Sequence, residues 1–402
     1  MTQQIIIGVP GMWKDHKDVV LSIAQANEAT SDPTYLAAGQ VFADLKTKDA
    51  FEFEIYEHDP HMPTAFEVAG QGRFEPDQLK AIADHNLTVY LVCNEPSLQT
   101  ARAMLGAGEH LLKAGGLGVK VETSGLAHTT DRWRYYAENR TLLSVYDALV
   151  TLVGGDEYNY TSGMHAFGLP DVSLTVDVPI EDAPSILNAF NQWHLLEQPT
   201  LIDGALFATE LDGPCFRVTL CEYGYADDDL TNNPHGRWHL ELTDENPVAD
   251  SPYEQTGEPL FMQLANDDPE VVAAIASARG TLPAFVDHFA SPYEYGHYIF
   301  KTLLHDGDES AHFWLTLIDA SDEALTGAMF EVPPEFPNYH RGQELRIAHG
   351  DITDWCIVKN ATVIGGFSRR LQRQRVEPAN RLAFDLYSGM LSYAPLDELD
   401  RS

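Results

Sequence analysis

The fold of the first half of the chain is decided by residues 88–121, which read TVYLVCNEPSLQTARAMLGAGEHLLKAGGLGVKV. Thr88–Val92 is a continuous apolar run, which is typical of a buried strand. Ser97 then offers a helix cap. Apolar residues follow at helical spacing, at Leu98, Ala101, Leu105 and Leu112. Gly115-Gly116 ends this helix, and Leu117–Val121 reads as a second strand. A strand, a helix and a strand in this order predict two parallel strands in one sheet.

Further strands and a helix continue this alternation up to residue 242. Strands are predicted at Ala148–Val153, Val172–Val176, Phe216–Leu220 and Trp238–Leu242. Asp182 and Pro184 are typical of a helix start, and apolar residues follow them at helical spacing. We therefore predict that residues 1–242 form a two-layer α/β or α+β region that is ferredoxin-like in part.

The second half begins after an acidic linker at 243–258, which contains two prolines and shows no periodicity. A helix is predicted from Pro269 to a terminator at Gly280. Short strands follow at Phe313–Ile318, Ala328–Val332, Glu344–Ile347, Trp355–Val358 and Thr362–Ile364. Their spacing is typical of a small antiparallel barrel or a curled antiparallel sheet. Residues 259–402 are therefore predicted to form a small α+β domain.

The chain of 402 residues is strongly acidic. It has 61 Asp and Glu against 25 Lys and Arg, a formal net charge of −36. Nucleic acid and anionic membranes are not expected partners, because both need basic side chains on the protein. The acidic excess favours a basic protein partner, or it serves solubility alone. The one basic run can contact an acidic partner or the acidic middle of this chain; it consists of Arg369, Arg370, Arg373 and Arg375.

Cysteine usage and the start of the chain favour a soluble cytoplasmic protein. The four cysteines are too few for a disulfide scaffold; they are Cys93, Cys215, Cys221 and Cys356. The first residues lack the basic and apolar segments of a signal peptide. No apolar run reaches the ~18–20 residues of a membrane span. We therefore expect the chain to work in a reducing cytoplasm.

Two loops share a serine and a histidine. They read Ser124-Gly125-Leu126-Ala127-His128 and Ser162-Gly163-Met164-His165, and each follows a predicted strand. If both strands lie in one sheet, the imidazoles can meet at one edge, where His acts as a general base and Ser as a nucleophile. Asp131 is the candidate that would orient His128. In the alternative interpretation glycine makes each turn, and the Ser and His side chains cap backbone groups.

No cofactor and no metal are expected. Gly115–Lys120 has the composition of a phosphate loop, but it follows a helix and enters a strand, the reverse of the order that such a loop needs. Gly106-Ala107-Gly108 lies inside the predicted helix and not at a strand-to-helix turn. His235 and His239 are four residues apart, but the neighbouring proline and glycine argue against a helix that would align them on a metal.

The polar loop between the last two strands of the first region carries the strongest local acidic signal. The candidate partner-binding residues in and beside it are Asp227, Asp228, Asp229, Tyr223, Tyr225 and Trp238. Carboxylates raise the rate of association with a basic partner, and aromatic side chains are common anchors of protein interfaces. This loop is therefore the predicted contact with a basic protein.

Residues 305–375 contain aromatic and glycine-rich motifs in a definite order. They are Ala311-His312-Phe313-Trp314, Gly342, Ile352-Thr353-Asp354-Trp355 and Gly365-Gly366-Phe367-Ser368-Arg369-Arg370. This set resembles the YegJ-like family, a bacterial domain of unknown function. The resemblance implies an α+β fold and no reaction. The residues that carry it are Trp314, Gly342, Asp354, Trp355, Gly365, Gly366 and Phe367. Cys356 stands where a methionine is common in the family.

Residues 85–200 are similar to another family of uncharacterised bacterial domains, through Leu111–Glu122 and Ser162–Gly168. Members of both families occur near toxin and secretion loci, which implies an immunity or accessory role. The leading hypothesis is a non-enzymatic immunity or antitoxin-type protein that covers a cationic toxin domain. The alternatives are a hydrolase or transferase centred on His128 and His165, and an adaptor subunit of a secretion assembly. The oligomeric state is left open.

Overall fold

The computed structural model describes most of the chain. The described residues are 4–28, 34–155, 158–199, 201–209, 214–221, 233–244, 268–290, 296–307, 309–359, 362–378, 381, 384–385, 390 and 392–395. The chain divides into two compact units: residues 1–191, 203–205 and 216–243 form the first, and residues 192–202, 206–215 and 244–402 form the second. The linker predicted at 243–258 falls almost entirely outside the described residues, so the domain boundaries stay a prediction.

Within the described residues, the first unit begins with seven strands and four helices. The strands are β1 (Ile5–Gly11), β2 (Tyr35–Ala38), β3 (Val41–Asp44), β4 (Ala50–Glu57), β5 (Leu87–Cys93), β6 (Val119–Val121) and β7 (Leu126–His128). The helices are α1 (His16–Glu28), α2 (Met62–Gly70), α3 (Pro76–Ala83) and α4 (Leu98–Lys113). The strands form one sheet in the order β2-β3-β4-β5-β1-β6-β7, with antiparallel pairing throughout.

The four central strands have the split βαβ arrangement of a ferredoxin-like fold. β1 lies between β5 and β6 and pairs antiparallel with both, so β5 and β6 run parallel to each other. α4 joins these two strands, as the sequence predicts. On the other side, β4 pairs antiparallel with β5 and therefore runs parallel to β1. The α+β class and the ferredoxin-like part of the prediction are confirmed.

One face of this sheet carries the core of the first unit. Alternate residues of β1, at Ile5, Ile7 and Val9, share a buried cluster with Leu105 and Leu111 of α4. Each such side chain contributes about 1.5–3 kcal/mol when it is fully buried. Because side chains alternate along a strand, the residues between them face the other way.

Further along the chain come α5 (Thr130–Asn139), α6 (Leu142–Leu149), a 3-10 helix (Met164–Phe167) and α7 (Ala183–Glu197). The strands here are β8 (Thr151–Val153), β9 (Tyr158–Ser162), β10 (Asp171–Thr175), β11 (Ala205–Ala208), β12 (Cys215–Cys221) and β13 (Arg237–Thr243). Their order is β11-β12-β13-β10-β9-β8, and β10 pairs parallel with β13. The strand predicted at Ala148–Val153 is wrong at its start, because α6 continues to Leu149.

The second unit contains α8 (Pro269–Phe289), α9 (Phe367–Arg375) and a seven-stranded sheet among its described residues. Its strands are β14 (His297–Asp306), β15 (Glu309–Ala320), β16 (Ala324–Met329), β17 (Glu344–Ala348), β18 (Ile352–Lys359), β19 (Thr362–Gly365) and β20 (Ser392–Tyr393). The order is β17-β16-β15-β14-β18-β19-β20, antiparallel except between β19 and β20. This order has two ends, so the antiparallel sheet is open and the barrel alternative is wrong.

α8 packs on the core face of this sheet and is longer than predicted. Trp355 Nε1 donates a hydrogen bond to Ala278 O at 2.8 Å, and its ring stacks on Phe285 with centroids 4.9 Å apart. The prediction that this helix ends at Gly280 is wrong. Leu282 and Phe285, beyond the glycine, are buried in the core cluster. Their packing outweighs the helix cost of about 1 kcal/mol for a glycine.

Candidate functional site

His128, the first candidate base, lies inside the core of the first unit. It ends β7 and is 1% exposed, and its Nε2 donates to Ala148 O at 2.9 Å. The rings of Trp133 and Tyr136 lie beside it, with centroids 5.6 and 5.4 Å away. Burial lowers the pKa of His128 to about 4, so the imidazole is neutral at pH 7.

His165 and Ser162 are buried as well. His165 lies in the 3-10 helix, where burial lowers its pKa to about 4 and a hydrogen bond with the backbone of Gln4 opposes that shift. Ser162 ends β9 and pairs with Thr151 of β8. Both loops approach the end of α6, because His128 bonds to Ala148 O and Gly163 lies against the carbonyl of Leu149. The shared feature of the two loops is thus contact with one helix end.

The groups that would complete a catalytic set are placed elsewhere. The side chain of Asp131 is 88% exposed and forms an ion pair with Arg134 at 3.4 Å. An orienting carboxylate would accept a hydrogen bond from Nδ1 of His128. This atom has no hydrogen-bond partner among the described residues. Ser124 is buried, and its Oγ likewise has none within the described ranges. Gly163 has a φ of +125°, so the turn itself requires glycine. The geometry favours the structural interpretation of both loops.

Replacing His128 with Gln is expected to remove part of the acid sensitivity of the first unit. The pKa of His128 is about 4 in the folded chain, below its ordinary value of 6.5. Its contribution to stability is therefore fully present above pH 6.5 and is lost as the pH falls towards 4. Between pH 7 and 5 this loss is about 2 kcal/mol. A glutamine amide keeps a donor to Ala148 O and does not titrate.

Denaturant unfolding at pH 7 and pH 5 measures this difference. The matched control is His61→Gln, since His61 is an exposed histidine at the start of α2. We expect the control to lose stability with acid as the wild type does. An H128Q chain that lost stability equally steeply would contradict a buried, neutral His128.

A buried polar network around Asp171 was missed by the sequence analysis. Asp171 begins β10, and its carboxylate accepts hydrogen bonds from Asn233 Nδ2 at 2.8 Å and from Met164 N at 3.1 Å. Thr161 and Asn191 extend the network, with 3.1 Å between Asn191 Nδ2 and Thr161 Oγ1. Burial raises the pKa of Asp171 to about 7. The available signal was a carboxylate directly before the strand predicted at Val172–Val176, but the pattern does not show that this position is buried.

The structure describes one of the six predicted partner-binding residues. Asp227, Asp228, Asp229, Tyr223 and Tyr225 lie outside the described residues. Trp238 is described: it lies in β13 opposite Val172 of β10 and is 6% exposed. Its indole is therefore buried, and its role in partner binding stays a prediction. The alternation of β13 turns this side chain inward.

Neither a metal cluster nor a membrane-spanning helix is present among the described residues. No group of three or more His, Cys, Asp or Glu side chains is placed to hold a metal ion there. No helix in the described ranges has the length and apolar character to cross a bilayer. His239, one of the weighed metal ligands, instead contacts Ser173 Oγ through Nδ1 at 2.9 Å.

In the second unit, Asp354 of β18 is the central polar residue. Its Oδ1 accepts from Trp355 N at 2.8 Å and from Phe367 N at 3.0 Å. Its Oδ2 accepts from Ser368 N at 2.7 Å and from Ser368 Oγ at 2.5 Å. Phe367 and Ser368 begin α9, so the carboxylate of Asp354 in β18 caps the N-terminus of this helix. The helix dipole also favours an anion at that end. Burial is the main influence on its pKa and raises it, while these hydrogen bonds lower it.

Lys301 of β14 places a positive charge beside this carboxylate. Its Nζ lies 3.5 Å from Ser368 Oγ and 5.4 Å from the ring centroid of Trp314. Burial lowers the pKa of Lys301, and the charge of Asp354 raises it. His312 lies near the same amine, and burial followed by the charge of Lys301 lowers its pKa to about 4. Asp354 and Ser368 are both buried, and the carboxylate also accepts from the amides of Trp355 and Phe367, so the cluster stabilises the start of α9.

The remaining motif residues shape the backbone around Trp355. Gly365 and Gly366 have φ values of +76° and +68°, and Gly366 N donates to Trp355 O at 2.8 Å. A Cβ on Gly365 would lie 2.6 Å from the Trp355 ring. Gly342 has a φ of +76° in the turn before β17. The motifs thus form a structural unit, with Asp354 holding the start of α9 and Trp355 holding α8.

The basic run is engaged within the second unit. Arg369 donates to Phe384 O at 3.4 Å, and Arg370 donates to Gly365 O at 2.6 Å. Arg373 and Arg375 form ion pairs with acidic side chains, at 2.8 Å to Asp385, 2.7 Å to Asp268 and 2.5 Å to Glu270. These four side chains therefore bind the chain's own carboxylates and carbonyl groups.

Comparisons with known proteins match the part of the chain that carries these motifs. A family model described as "Uncharacterized protein conserved in bacteria (DUF2314)" matches residues 268–391. A stretch of 68 residues is 31% identical to a protein of Escherichia coli (strain K12) called "Uncharacterized protein YegJ". The C-terminal part carries a YegJ-like domain of unknown function. The aligned stretch covers 17% of this chain and 44% of YegJ, so the chain spans less than half of that relative.

The match to the family model begins at Asp268, which is the N-cap of α8, and includes α9 and the seven-stranded sheet up to β19. The recognition of a YegJ-like domain from its motifs is confirmed. The similarity of residues 85–200 to a second bacterial family stays a prediction. No solved structure matches the chain.

Proposed function

We propose that this chain is a non-enzymatic protein that binds a basic protein partner through its acidic surface. The observation that carries the proposal is the charge balance. Even if each of the 25 basic side chains paired with one carboxylate, 36 of the 61 carboxylates would have no basic partner. The arginines that could have bound an acidic partner are already engaged in the YegJ-like domain. An excess of this kind attracts basic proteins and accelerates their association.

The contacts of the candidate catalytic residues favour binding over catalysis. His128 and Ser124 are buried, and Asp131 forms an ion pair with Arg134 and is exposed. In the YegJ-like domain, burial raises the pKa of the Cys356 thiol, which therefore stays protonated and weakly nucleophilic. A hydrolase or transferase would need a nucleophile and a base that lie within hydrogen-bond reach of each other and are open to the substrate, whereas Ser368 and Asp354, which form such a bond, are buried.

The partner that we favour is a cationic toxin domain, and the chain would then act as a cytoplasmic immunity protein. Two observations support a toxin as the partner: the resemblance to families that occur near toxin and secretion loci, and the acidic excess of the chain. An adaptor subunit of a secretion assembly would differ in forming a stable complex with several copies and in inhibiting no toxin.

Affinity capture of the tagged full chain from its native cells tests the proposed function. We expect one basic protein to be retained near stoichiometry at low salt and released at high salt, because screening weakens contacts between exposed charges. The purified partner must then bind the purified chain. Retention of no basic protein at either salt concentration would contradict the proposal.

Charge reversal at Asp227, Asp228 and Asp229 tests whether the acidic loop takes part. We expect the triple Lys variant to bind the purified partner at least about tenfold more weakly at low salt, because three attractive charges become repulsive. The matched control reverses Asp177, Glu181 and Asp182, which are exposed carboxylates within six residues of one another. Equal affinities of the two variants would exclude a specific role for the loop.

A further inference from the structure

The second face of the first sheet is exposed along β3 and β4, where Val41 is 48% and Tyr56 54% exposed. We call it the open face and define it by six residues: Val41, Glu52, Glu54, Tyr56, Tyr90 and Glu122. They alternate with core residues such as Phe42, Phe51 and Phe53, which are almost fully buried. The alternation of a strand therefore places these six side chains on the side away from the core.

The strand register makes the residues of the open face neighbours across adjacent strands. Val41 pairs with Glu52, and Glu52 pairs with Val92 of β5. Glu54 pairs with Tyr90, which in turn lies opposite Gly8 of β1. A Cβ on Gly8 would lie 2.8 Å from the Tyr90 ring and 3.1 Å from a carboxylate oxygen of Glu122. The absence of a side chain at Gly8 lets Tyr90 and Glu122 approach each other across β1.

The open face combines negative charge with aromatic surface. Tyr56 OH donates to Glu54 Oε2 at 3.0 Å, and the Tyr56 and Tyr90 rings meet edge to face with centroids 5.4 Å apart. The pKa of Tyr90 is raised to about 12 by burial and then by the negative charges of Glu122 and Asp59. Lys120 forms an ion pair with Glu122, whereas Glu52 and Glu54 form no ion pair with a described Lys or Arg. The face is therefore acidic at neutral pH.

Apolar side chains border these charges and are accessible. Leu36 is 52% exposed, Val41 48% and Tyr56 54%. Large apolar side chains grouped on one sheet face are typical of a protein interface when charged residues surround them. Tyrosine in particular contributes to binding through a rigid ring and a polar hydroxyl.

We infer that the open face is a docking surface for the basic partner of the proposed function, with lysines or arginines of the partner on Glu52 and Glu54 and its apolar groups on Val41 and Tyr56. The inference rests on the proposed function and adds the place of contact. Charge complementarity selects a basic protein as the occupant, because a chain with 61 acidic and 25 basic residues repels acidic ones.

The experiment compares two double variants of the full chain that change the charge equally. Glu52→Lys with Glu54→Lys alters the open face, and Glu67→Lys with Glu138→Lys alters exposed carboxylates of α2 and α5. Poly-L-lysine is the first probe, and the captured basic partner is the second. Zero-length carbodiimide coupling of carboxylates to lysine amines, read by mass spectrometry, locates the contact. A milder pair, Glu52→Gln with Glu54→Gln, serves if the reversal disturbs folding.

We expect the open-face variant to bind both probes about tenfold or more weakly than the wild type, and the control variant less than about threefold more weakly. We expect the cross-links of the wild type to concentrate on Glu52 and Glu54. Equal losses in the two variants, or cross-links spread over all exposed carboxylates, would overturn the inference and leave the proposed function standing. A wild-type chain that binds neither probe at low salt would contradict the proposed function itself. Self-association of the wild type that E52K/E54K abolishes would assign the face to a second copy and overturn the inference.

Discussion

An Asp354→Ala chain is expected to lose about 3–5 kcal/mol of the free energy of unfolding of the YegJ-like domain, which is enough to unfold it at moderate temperature. The carboxylate accepts hydrogen bonds from the amides of Trp355, Phe367 and Ser368 and from the Ser368 hydroxyl. Truncation leaves these donors without an acceptor in a buried position, and each such donor costs about 1–3 kcal/mol. It also removes the negative charge of Asp354, which raises the pKa of Lys301.

The matched control is Asp351→Ala, which removes an exposed carboxylate three residues earlier. We expect it to lower the free energy of unfolding by less than about 0.5 kcal/mol. The free energy of unfolding of Asp354→Asn is expected to lie between those of the two alanine variants, because the asparagine amide keeps one acceptor oxygen. Denaturant unfolding followed by tryptophan fluorescence measures all three, since Trp355 lies in the core beside the site. An Asp354→Ala domain within about 1 kcal/mol of the wild type would contradict the capping role.

The second large effect is expected for Gly365→Ala. A Cβ at this position would lie 2.6 Å from the ring of Trp355 and 2.7 Å from its carbonyl oxygen. The φ of +76° adds about 1 kcal/mol for any residue that has a Cβ. Trp355 is held by its hydrogen bond to Ala278 and by its stacking on Phe285, so it cannot withdraw. We expect a loss of about 3 kcal/mol or more, measured by thermal and denaturant unfolding.

Two glycines of the same domain separate the causes of this loss. Gly307 has a φ of +61° and open space around its ideal Cβ, so Gly307→Ala reports the backbone cost alone. Gly350 has open space and no positive φ, so Gly350→Ala is expected to be neutral or slightly stabilising. If Gly365→Ala cost no more than Gly307→Ala, the close packing of Trp355 on this turn would not matter for stability.

Local patterns predicted the elements that they encode directly. The apolar run at 88–92, the capped helix after Ser97 and the strand that ends at Val121 became β5, α4 and β6. The same reasoning missed β14, and it ended α8 at Gly280 although the helix continues to Phe289. Those features depend on packing between distant parts of the chain. β14, for example, is held between β15 and β18, and no local pattern shows that pairing.

The sites were harder to predict for the same reason. The serine and histidine motifs are visible in the sequence, but the burial that lowers the pKa of His128 depends on Trp133 and Tyr136 packing around it. Asp354 was recognised as a motif residue, yet its partners lie 13 and 14 residues away at the start of α9. The open face needed the register of β3, β4, β5 and β1, which local periodicity does not supply.

The most direct test of the central claim is the affinity of the purified full chain for its purified basic partner, measured by titration calorimetry at several salt concentrations. The account predicts one site per chain and a dissociation constant that rises about tenfold or more between low and physiological salt, since exposed charges make the contact. Affinity independent of salt, or no binding with a purified chain that is folded, would contradict the claim that this is an acidic binding protein for a basic partner.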